Sequence, residues 1–418
     1  MVTNKTQDVY GIQRKLPLNY IVRTVDGIFK DSLDREHHVV IFWSSKQGKT
    51  SLRKKNLVDD DYIIVHCSNK WDIYQLNINI LKQAGFSILV SETKTILGKA
   101  KVKATFGFNM IAKTEAETEI EGEMSKTTEV KEFEIDPDDV NDVISALKKL
   151  KFNKYIVLED FHYLKPEIQT DFSVELKAFH ENSQITFIII WVWLEENRLI
   201  ALNWDLSGRV KSVNADEWTD KNLMDLIHAG EQLLNIKFDD SSKEKIINTS
   251  FNNVYIVQEV CYKICIENNI QETCTEQMTI DCKNLETILQ DVISQHSWRY
   301  NSFLSSISDG FQATELEMFK WIMYAIIKSD IADLEKGIRR NEINTILNKN
   351  HPRKEELNPG NLTQSLKSIA SLQVKKSITP IILDYDAGNL RLNVVDKGFL
   401  IWLKNQITQE ILKDIWFE

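Results

Sequence analysis

Residues 39–52 carry the side chains best suited to chemistry: an apolar run, a polar loop and then a Gly-Lys-Thr triplet. The run Val39–Phe42 predicts a buried strand, and the triplet stands where a helix would begin. Backbone N–H groups of such a loop, together with the helix dipole, attract phosphate oxygens. Lys49 would reach the outer phosphates of a nucleotide, and the Thr50 hydroxyl would ligate Mg²⁺. The predicted phosphate-binding residues are Ser44, Ser45, Lys46, Gln47, Gly48, Lys49, Thr50 and Ser51.

The loop departs from the P-loop pattern G-x-x-x-x-G-K-[ST] at its first position, where the chain has Trp43. Trp43 either blocks the phosphates or packs under the loop. A chance Gly-Lys-Thr at the start of a helix is the alternative interpretation.

A second motif supports the first. The apolar run Tyr155–Leu158 is closed by Glu159 and Asp160, as in a buried parallel strand with acids at its C-terminal end. Ligands of α/β sheets bind at that edge, so the acids would face the Lys49 loop. We assign Glu159 to Mg²⁺ and Asp160 to the attacking water. A solvated strand end is the alternative, but the two motifs together predict nucleotide binding.

Strand and helix patterns alternate around these motifs. Further strands are predicted at Asp61–Cys67 and Ile185–Ile190, with helical periodicity between the strands. This alternation predicts an α/β fold with a parallel sheet.

The interval 86–135 interrupts the alternation. Apolar residues alternate with lysine, threonine and glycine over 101–108, and glutamates alternate with other residues over 115–121. A period of two predicts an inserted β-hairpin with one basic and one acidic strand, joined by cross-strand Lys–Glu pairs. It would be an assembly or target-contact element or a solvated decoration; membrane insertion is disfavoured because the glutamates would meet lipid.

Composition agrees with a soluble intracellular protein. A length of 418 residues allows two or three domains, and 43% hydrophobic and 27% charged residues are ordinary globular values. The net charge of −10 argues against a surface that binds nucleic acid throughout. Five cysteines without C-x-x-C spacing and the absence of a signal peptide indicate a reducing cytoplasm. Because no apolar run reaches about 18 residues, no membrane span is expected.

Behind the sheet region, periodicity over Asp220–Leu234, Asp240–Thr249 and a third segment through Cys265 predicts a helical lid. The order of P-loop, acidic strand, further strand, Arg-Val step and lid resembles the AAA+ and STAND NTPases, most closely their replication-initiator-like branch. The resemblance covers about residues 10–290. It implies an ATPase that holds ATP·Mg²⁺ between core and lid and forms homo-oligomers.

The resemblance also implies roles for single residues. Arg209, in Ser-Gly-Arg-Val, matches an arginine finger for a neighbour's γ-phosphate, with Arg198 as the second candidate; a surface salt bridge is the other interpretation. Arg23 matches the segment that packs near the adenine, and Asn253 stands where STAND proteins carry Gly-x-Pro. That proline is missing, and the strand ending at Trp193 lacks the polar residue that senses the γ-phosphate. Slow hydrolysis, or binding alone, is therefore expected.

The C-terminal third predicts a winged helix. Helical patterns cover Leu316–Lys328, Arg340–Lys349 and a segment beginning at Pro359, and a hairpin with a glycine-containing turn lies within Ile381–Leu392. The third helix would enter a major groove, with phosphates bound by Lys367, Lys375 and Lys376. Because winged helices also pack against protein, DNA binding and packing both stay open.

These patterns predict an ATPase core over 1–215, a lid over 216–300 and a winged-helix domain over 301–418. The leading hypothesis is a regulatory ATPase that switches state with ATP·Mg²⁺, in prokaryotic antiviral defence or signalling, with a separate effector chain. The alternative is an ATP-dependent DNA-binding scaffold resembling replication initiators or transposition regulators. A third hypothesis is a nucleotide-binding structural subunit that never hydrolyses.

Overall fold

The computed structural model describes residues 2–13, 15–42, 48–96, 99–107, 130–191, 198–216, 218–295, 297–310, 315–378 and 380–415. The strands are β1 (His38–Phe42), β2 (Tyr62–His66), β3 (Ser87–Ile96), β4 (Lys99–Gly107), β5 (Val130–Ile135), β6 (Tyr155–Glu159), β7 (Phe187–Trp191), β8 (Val210–Asn214), β9 (Ile236–Lys237), β10 (Met278–Thr279), β11 (Ile338–Arg339), β12 (Leu383–Asp386) and β13 (Arg391–Val394).

The helices of the first half are α1 (Thr6–Val9), α2 (Thr24–Asp34), α3 (Lys49–Asn56), α4 (Ile73–Ala84), α5 (Val140–Lys149), α6 (Pro166–Asn182) and α7 (Arg198–Leu202). Those of the second half are α8 (Asp220–Leu234), α9 (Asp240–Ser250), α10 (Val254–Glu267), α11 (Leu285–Ser294), α12 (Ser297–Ser308), α13 (Met318–Lys328), α14 (Ile331–Glu335), α15 (Arg340–Asn350), α16 (Pro359–Lys375), α17 (Lys397–Lys404) and α18 (Thr408–Asp414). Within the described ranges, no helix combines the length and apolarity needed to cross a membrane.

A five-stranded parallel sheet in the order β2-β6-β7-β1-β8 forms the core. Every residue of β1 and β7 is buried, because helices cover both faces of the sheet. Successive residues of β1 point to opposite faces: Val40 packs with α4, α5 and α6, and Val39 packs with α2 and α3. The predicted α/β fold with a parallel sheet is confirmed.

The insertion between α4 and α5 is a three-stranded antiparallel sheet in the order β3-β4-β5. Since β3 and β5 occupy both edges of β4, the prediction that the basic strand pairs with the glutamate row 115–121 is wrong; that row lies outside the described residues. Lys103 is instead in register with Glu134 of β5. The alternating pattern identifies a strand correctly, but it does not identify the partner of that strand.

The N-terminal segment 2–19, which we call the arm, packs on the helices α8–α11. The fully buried Tyr10 donates its hydroxyl hydrogen to the Ile227 carbonyl at 2.7 Å, and the Thr6 hydroxyl donates to Ile270 O at 2.8 Å. A single apolar cluster joins the arm to these helices and continues into α12–α18. The arm, the helices α8–α11 and the C-terminal region therefore share one core.

In the C-terminal region, α13, α15 and α16 pack with a small antiparallel sheet in the order β11-β13-β12. A fully buried amide joins α16 to β12: Gln373 Nε2 donates to Leu383 O at 2.7 Å, and its Oε1 accepts from the N–H groups of Ile382 and Leu383. This amide sets the position of the β12–β13 hairpin relative to α16.

Candidate functional site

The first part of the site is the start of α3. Gly48 directly precedes α3 and has φ +87°, a left-handed conformation that glycine adopts without a steric penalty. The helix is held against the sheet by Leu52, which is fully buried. Trp43 and the predicted phosphate-binding residues Ser44, Ser45, Lys46 and Gln47 lie outside the described residues, and Lys49 is described only as the first residue of α3.

A cavity of about 400 Å³ opens beside the start of α3, within the range of about 300–1,000 Å³ common for small-molecule sites. Three parts of the chain line it: the arm and Tyr20, the start of α3, and the helices α8 and α10. The lining residues are Gly11, Ile12, Gln13, Lys15, Pro17, Tyr20, Gly48, Thr50, Ser51, Trp218, Leu226, Val254, Tyr255 and Gln258. The cavity therefore combines aromatic walls with N–H groups at the N-terminus of a helix.

Arg23 lies behind the cavity wall and does not line it. Its guanidinium carbon is 3.9 Å from the ring centroid of Trp218, and Nη1 donates to Ala215 O at 3.0 Å. Burial lowers the pKa of Arg23, and the aromatic face offsets part of that desolvation cost. Arg23 thus reaches the cavity only through its contact with Trp218, which lines it; a role of Arg23 near a base stays a prediction.

Asn253 is buried and serves as the N-cap of α10. Its Oδ1 accepts from the N–H groups of Tyr255 at 3.0 Å and Ile256 at 3.4 Å. The side-chain oxygen is therefore used inside the fold, and the residues after it, Val254 and Tyr255, line the cavity instead.

The predicted carboxylates lie at the C-terminal end of β6. Asp160 adopts a left-handed conformation with φ +59° and turns the chain away from the sheet directly after Glu159. Burial raises the pKa of the Cys67 thiol, and the charges of Asp160 and Glu159 add to the shift. The two acids and the end of β2 are therefore neighbours at one edge of the sheet.

Arg53 of α3 connects the two motifs. Its Nε lies 3.7 Å from Glu159 Oε1, with the two side chains only 4% and 13% exposed. The acid at the end of β6 and the helix that begins at Lys49 are thus in direct contact, although β7 separates their strands.

The residues present suit Mg²⁺ carried by a nucleotide. Thr50 and Glu159 supply a hydroxyl and a carboxylate, the donor types that Mg²⁺ combines with phosphate oxygens and water. Among the described residues, no group of three or more His, Cys, Asp or Glu side chains is arranged to hold a metal ion. When bound, the ion supplies charge neutralisation on the phosphates.

Arg209 lies at the N-terminal end of the parallel strands, opposite to the end that bears Glu159. It precedes β8, whereas Gly48 follows the end of β1, and these parallel strands span about 16 Å. Its Nη2 is 2.8 Å from Glu181 Oε1, and Nη1 donates to Asp205 O. Within one chain Arg209 is therefore remote from the cavity. Arg198 is the first residue of α7, and the structure describes its backbone but not its side chain.

Several side chains at the site are not among those predicted from sequence: Tyr20, Arg53, Trp218, Tyr255 and Gln258. Three of them carry a recognisable signal in the sequence. Tyr255 and Gln258 are three residues apart on α10 and so share one helix face. Arg53 is a charged residue beside the core position Leu52. The other positions depend on which distant segments meet.

Comparison with protein-family profiles finds no match, and comparison with curated protein sequences finds none either. Among solved structures, a Walker-type ATPase of Pyrococcus abyssi is similar, with a TM-score of 0.51 and 12% identity over 94% of this chain and 99% of that chain. The Orc1 protein of Aeropyrum pernix, solved in complex with DNA, has a TM-score of 0.43 and 9% identity over 98% and 96% of the two chains. A RuvB variant of Thermotoga maritima has a TM-score of 0.38 and 11% identity over 94% and 98%. The first similarity shows that this chain has the fold of a Walker-type ATPase.

Proposed function

We propose that the protein is a regulatory ATPase that binds ATP·Mg²⁺ in the cavity and changes conformation or oligomeric state with the nucleotide. The cavity itself carries the proposal, because the start of α3, the arm and the helices α8 and α10 all line it. The similarity to a Walker-type ATPase of Pyrococcus abyssi supports ATP as the ligand.

The chemistry of the walls suits a nucleotide. Tyr20, Trp218 and Tyr255 provide aromatic and apolar surface for a purine base, while Gly48 and Thr50 lie where helix N–H groups attract phosphates. The base and the triphosphate thus have separate, chemically matched parts of one cavity.

A conformational change that depends on the nucleotide is supported by the way the regions around the cavity pack together. The arm, the helices α8–α11 and the C-terminal region share one apolar cluster, and we propose that they move as one body relative to the sheet. A nucleotide that contacts both bodies biases their relative position by its difference in affinity for the two arrangements. A STAND-like role in defence or signalling, through a separate effector chain, belongs to this proposal and rests on the resemblance alone.

The first experiment measures nucleotide binding and light-scattering mass with and without ATP·Mg²⁺. The parent chain is compared with Lys49→Ala and with a matched control, Lys30→Ala, an exposed lysine of α2. We expect the parent and the control to bind ATP and to gain mass, and Lys49→Ala to do neither. A parent chain that binds no ATP refutes the proposal, and binding without a change in mass or shape refutes the switch.

The roles of Arg209 and Asp160 are tested by phosphate release. If Arg209 acts on a neighbour's nucleotide, Arg209→Ala and Lys49→Ala are each inactive alone, but a mixture of the two regains activity. Failure of the mixture, with both variants folded, argues against a shared site. Asp160→Asn should abolish release while ATP binding persists; unchanged release would remove Asp160 from the reaction.

DNA binding is a second candidate, favoured by a groove between α15 and α16. The groove has a volume of about 460 Å³ and is lined by Arg340, Pro359, Gly360, Thr363, Gln364 and Lys367. Arg340 Nη1 donates to the Thr363 hydroxyl at 3.0 Å, which holds the guanidinium beside the start of α16. Such a cationic notch suits a backbone phosphate, in the winged-helix interpretation of this region.

Titration with duplex DNA at several salt concentrations tests this candidate. Lys367→Glu should weaken binding and reduce the salt slope by about one or more, because a phosphate contact releases counterions. Lys82→Glu, an equal charge change at an exposed lysine of α4, serves as the control. Equal losses in both variants would indicate only a general charge effect and would exclude the groove.

A further inference from the structure

Arg53 is a buried cation that the phosphate-binding pattern does not call for. Its side chain is only 4% exposed. The guanidinium carbon lies 4.6 Å from the centroid of the Tyr62 ring, and Nε lies 3.7 Å from Glu159 Oε1. The guanidinium is thus enclosed between an aromatic face and the carboxylate that was assigned to Mg²⁺.

Well-formed hydrogen bonds from Nε and Nη1 to described residues do not explain this placement. Two of its buried nitrogens, Nε and Nη1, have no hydrogen-bond partner among the residues that the structure describes. The 3.7 Å contact exceeds the usual 2.7–3.2 Å of an N–H···O bond. Burying a cation costs free energy unless a nearby charge compensates it. Among the described residues, the charge of Glu159 and the aromatic face of Tyr62 compensate this cost.

We propose that Arg53 is a positioning residue that neutralises Glu159 and so sets how strongly nucleotide binding depends on Mg²⁺. This inference rests on the proposed function. A guanidinium does not deprotonate in proteins, so its charge stays beside the carboxylate throughout a binding cycle. It therefore repels a free divalent cation from Glu159 and screens the carboxylate from a metal-free triphosphate.

The opposite charges of Arg53 and Glu159 predict which form of the nucleotide the site binds. The site takes the cation as part of a metal–nucleotide complex, in which phosphates already offset its charge, and tolerates the nucleotide without the metal. Without Arg53, the negative charge at Glu159 is less compensated, so it repels a metal-free triphosphate more strongly and attracts the Mg²⁺ of ATP·Mg²⁺ more strongly. Removing Arg53 should therefore weaken metal-free binding and strengthen, or leave unchanged, binding of the metal complex.

The test is the ratio of ATP dissociation constants in EDTA and in excess Mg²⁺. A fluorescent ATP analogue is titrated into the parent, Arg53→Met, Arg53→Lys and the double variant Arg53→Met/Glu159→Gln. We expect the ratio to rise at least tenfold in Arg53→Met, to stay near the parent value in Arg53→Lys, and to fall back in the double variant. A merely structural arginine would change both constants together and leave the ratio unmoved.

The outcomes separate the two proposals. A parent chain that binds the analogue, with an unchanged ratio in Arg53→Met, overturns the role of Arg53 and leaves the proposed function intact. A parent chain that binds no analogue overturns both. If Arg53→Met does not fold, Glu159→Gln is compared with the double variant. Equal ratios then support action through Glu159, and unequal ratios overturn it.

Discussion

A reciprocal amide pair between Asn19 and Gln258 holds the arm to α10 beside the cavity. Asn19 Nδ2 donates to Gln258 Oε1 at 3.1 Å, and Gln258 Nε2 donates to Asn19 Oδ1 at 2.9 Å. Asn19 is fully buried and Gln258 is 7% exposed. Asn19 Nδ2 also donates weakly to Leu226 O at 3.4 Å. Because Gln258 also lines the cavity, we expect loss of the pair to lower both the free energy of unfolding and the affinity of the candidate site for ATP.

The pair predicts that the double substitution destabilises the fold by less than the sum of the two single substitutions. Asn19→Leu removes both mutual bonds and leaves the Gln258 amide buried without them, at a cost of about 2–4 kcal/mol. Gln258→Met likewise leaves the Asn19 amide buried without its partner. The double variant replaces both amides with apolar side chains of similar size, so its cost should fall below the sum of the singles by about 1 kcal/mol or more.

Urea unfolding followed by circular dichroism measures the four free energies of this cycle, without nucleotide. ATP affinity is then measured for the same four proteins, and we expect both single variants to bind at least tenfold more weakly, because the arm and α10 close the cavity together. Additive costs, within about 0.5 kcal/mol, would refute the reasoning. Such a result would mean that the amides are satisfied independently of each other.

Three further predictions concern the core. Burial raises the pKa of Glu175 from its ordinary 4.5 to about 8. The folded state therefore binds more protons and loses stability as pH rises from 4.5 to 8, so in thermal melts Glu175→Gln should remove that loss. Gly48→Ala places a residue with a Cβ at φ +87° and should cost about 1–2 kcal/mol, whereas Gly27→Ala, where an added Cβ meets no atom within 4 Å, should not destabilise. Leu52→Ala should cost about 2–5 kcal/mol, against little for the exposed Val58→Ala; equal melting temperatures would contradict either comparison.

Local patterns in the chain are sufficient to predict the elements of the core. The predicted helix Asp220–Leu234 has the bounds observed for α8, because Thr219 forms a capping box with Asn222 and the apolar residues recur at helical spacing. The strands β1, β2, β6 and β7 lie where short apolar runs predict them, since buried parallel strands have no polar face. These features depend on neighbours within a few residues.

The candidate site depends on contacts between distant segments. Residues near 12, 50, 218 and 255 line one cavity, and no periodicity within any of those segments indicates that they meet. The partner of β4 was predicted wrongly for the same reason: alternation shows that a strand has two faces, but not which strand lies beside it.

The sequence by itself therefore determined the parallel sheet, the turn at Gly48 and the acids at the end of β6, each through local backbone preferences and burial. Only the tertiary structure decided that Arg53 meets Glu159, that Arg23 stacks on Trp218, and that Arg209 lies at the N-terminal end of the strands, away from the cavity. Those pairings arise because strand order and packing bring together side chains that the chain keeps far apart.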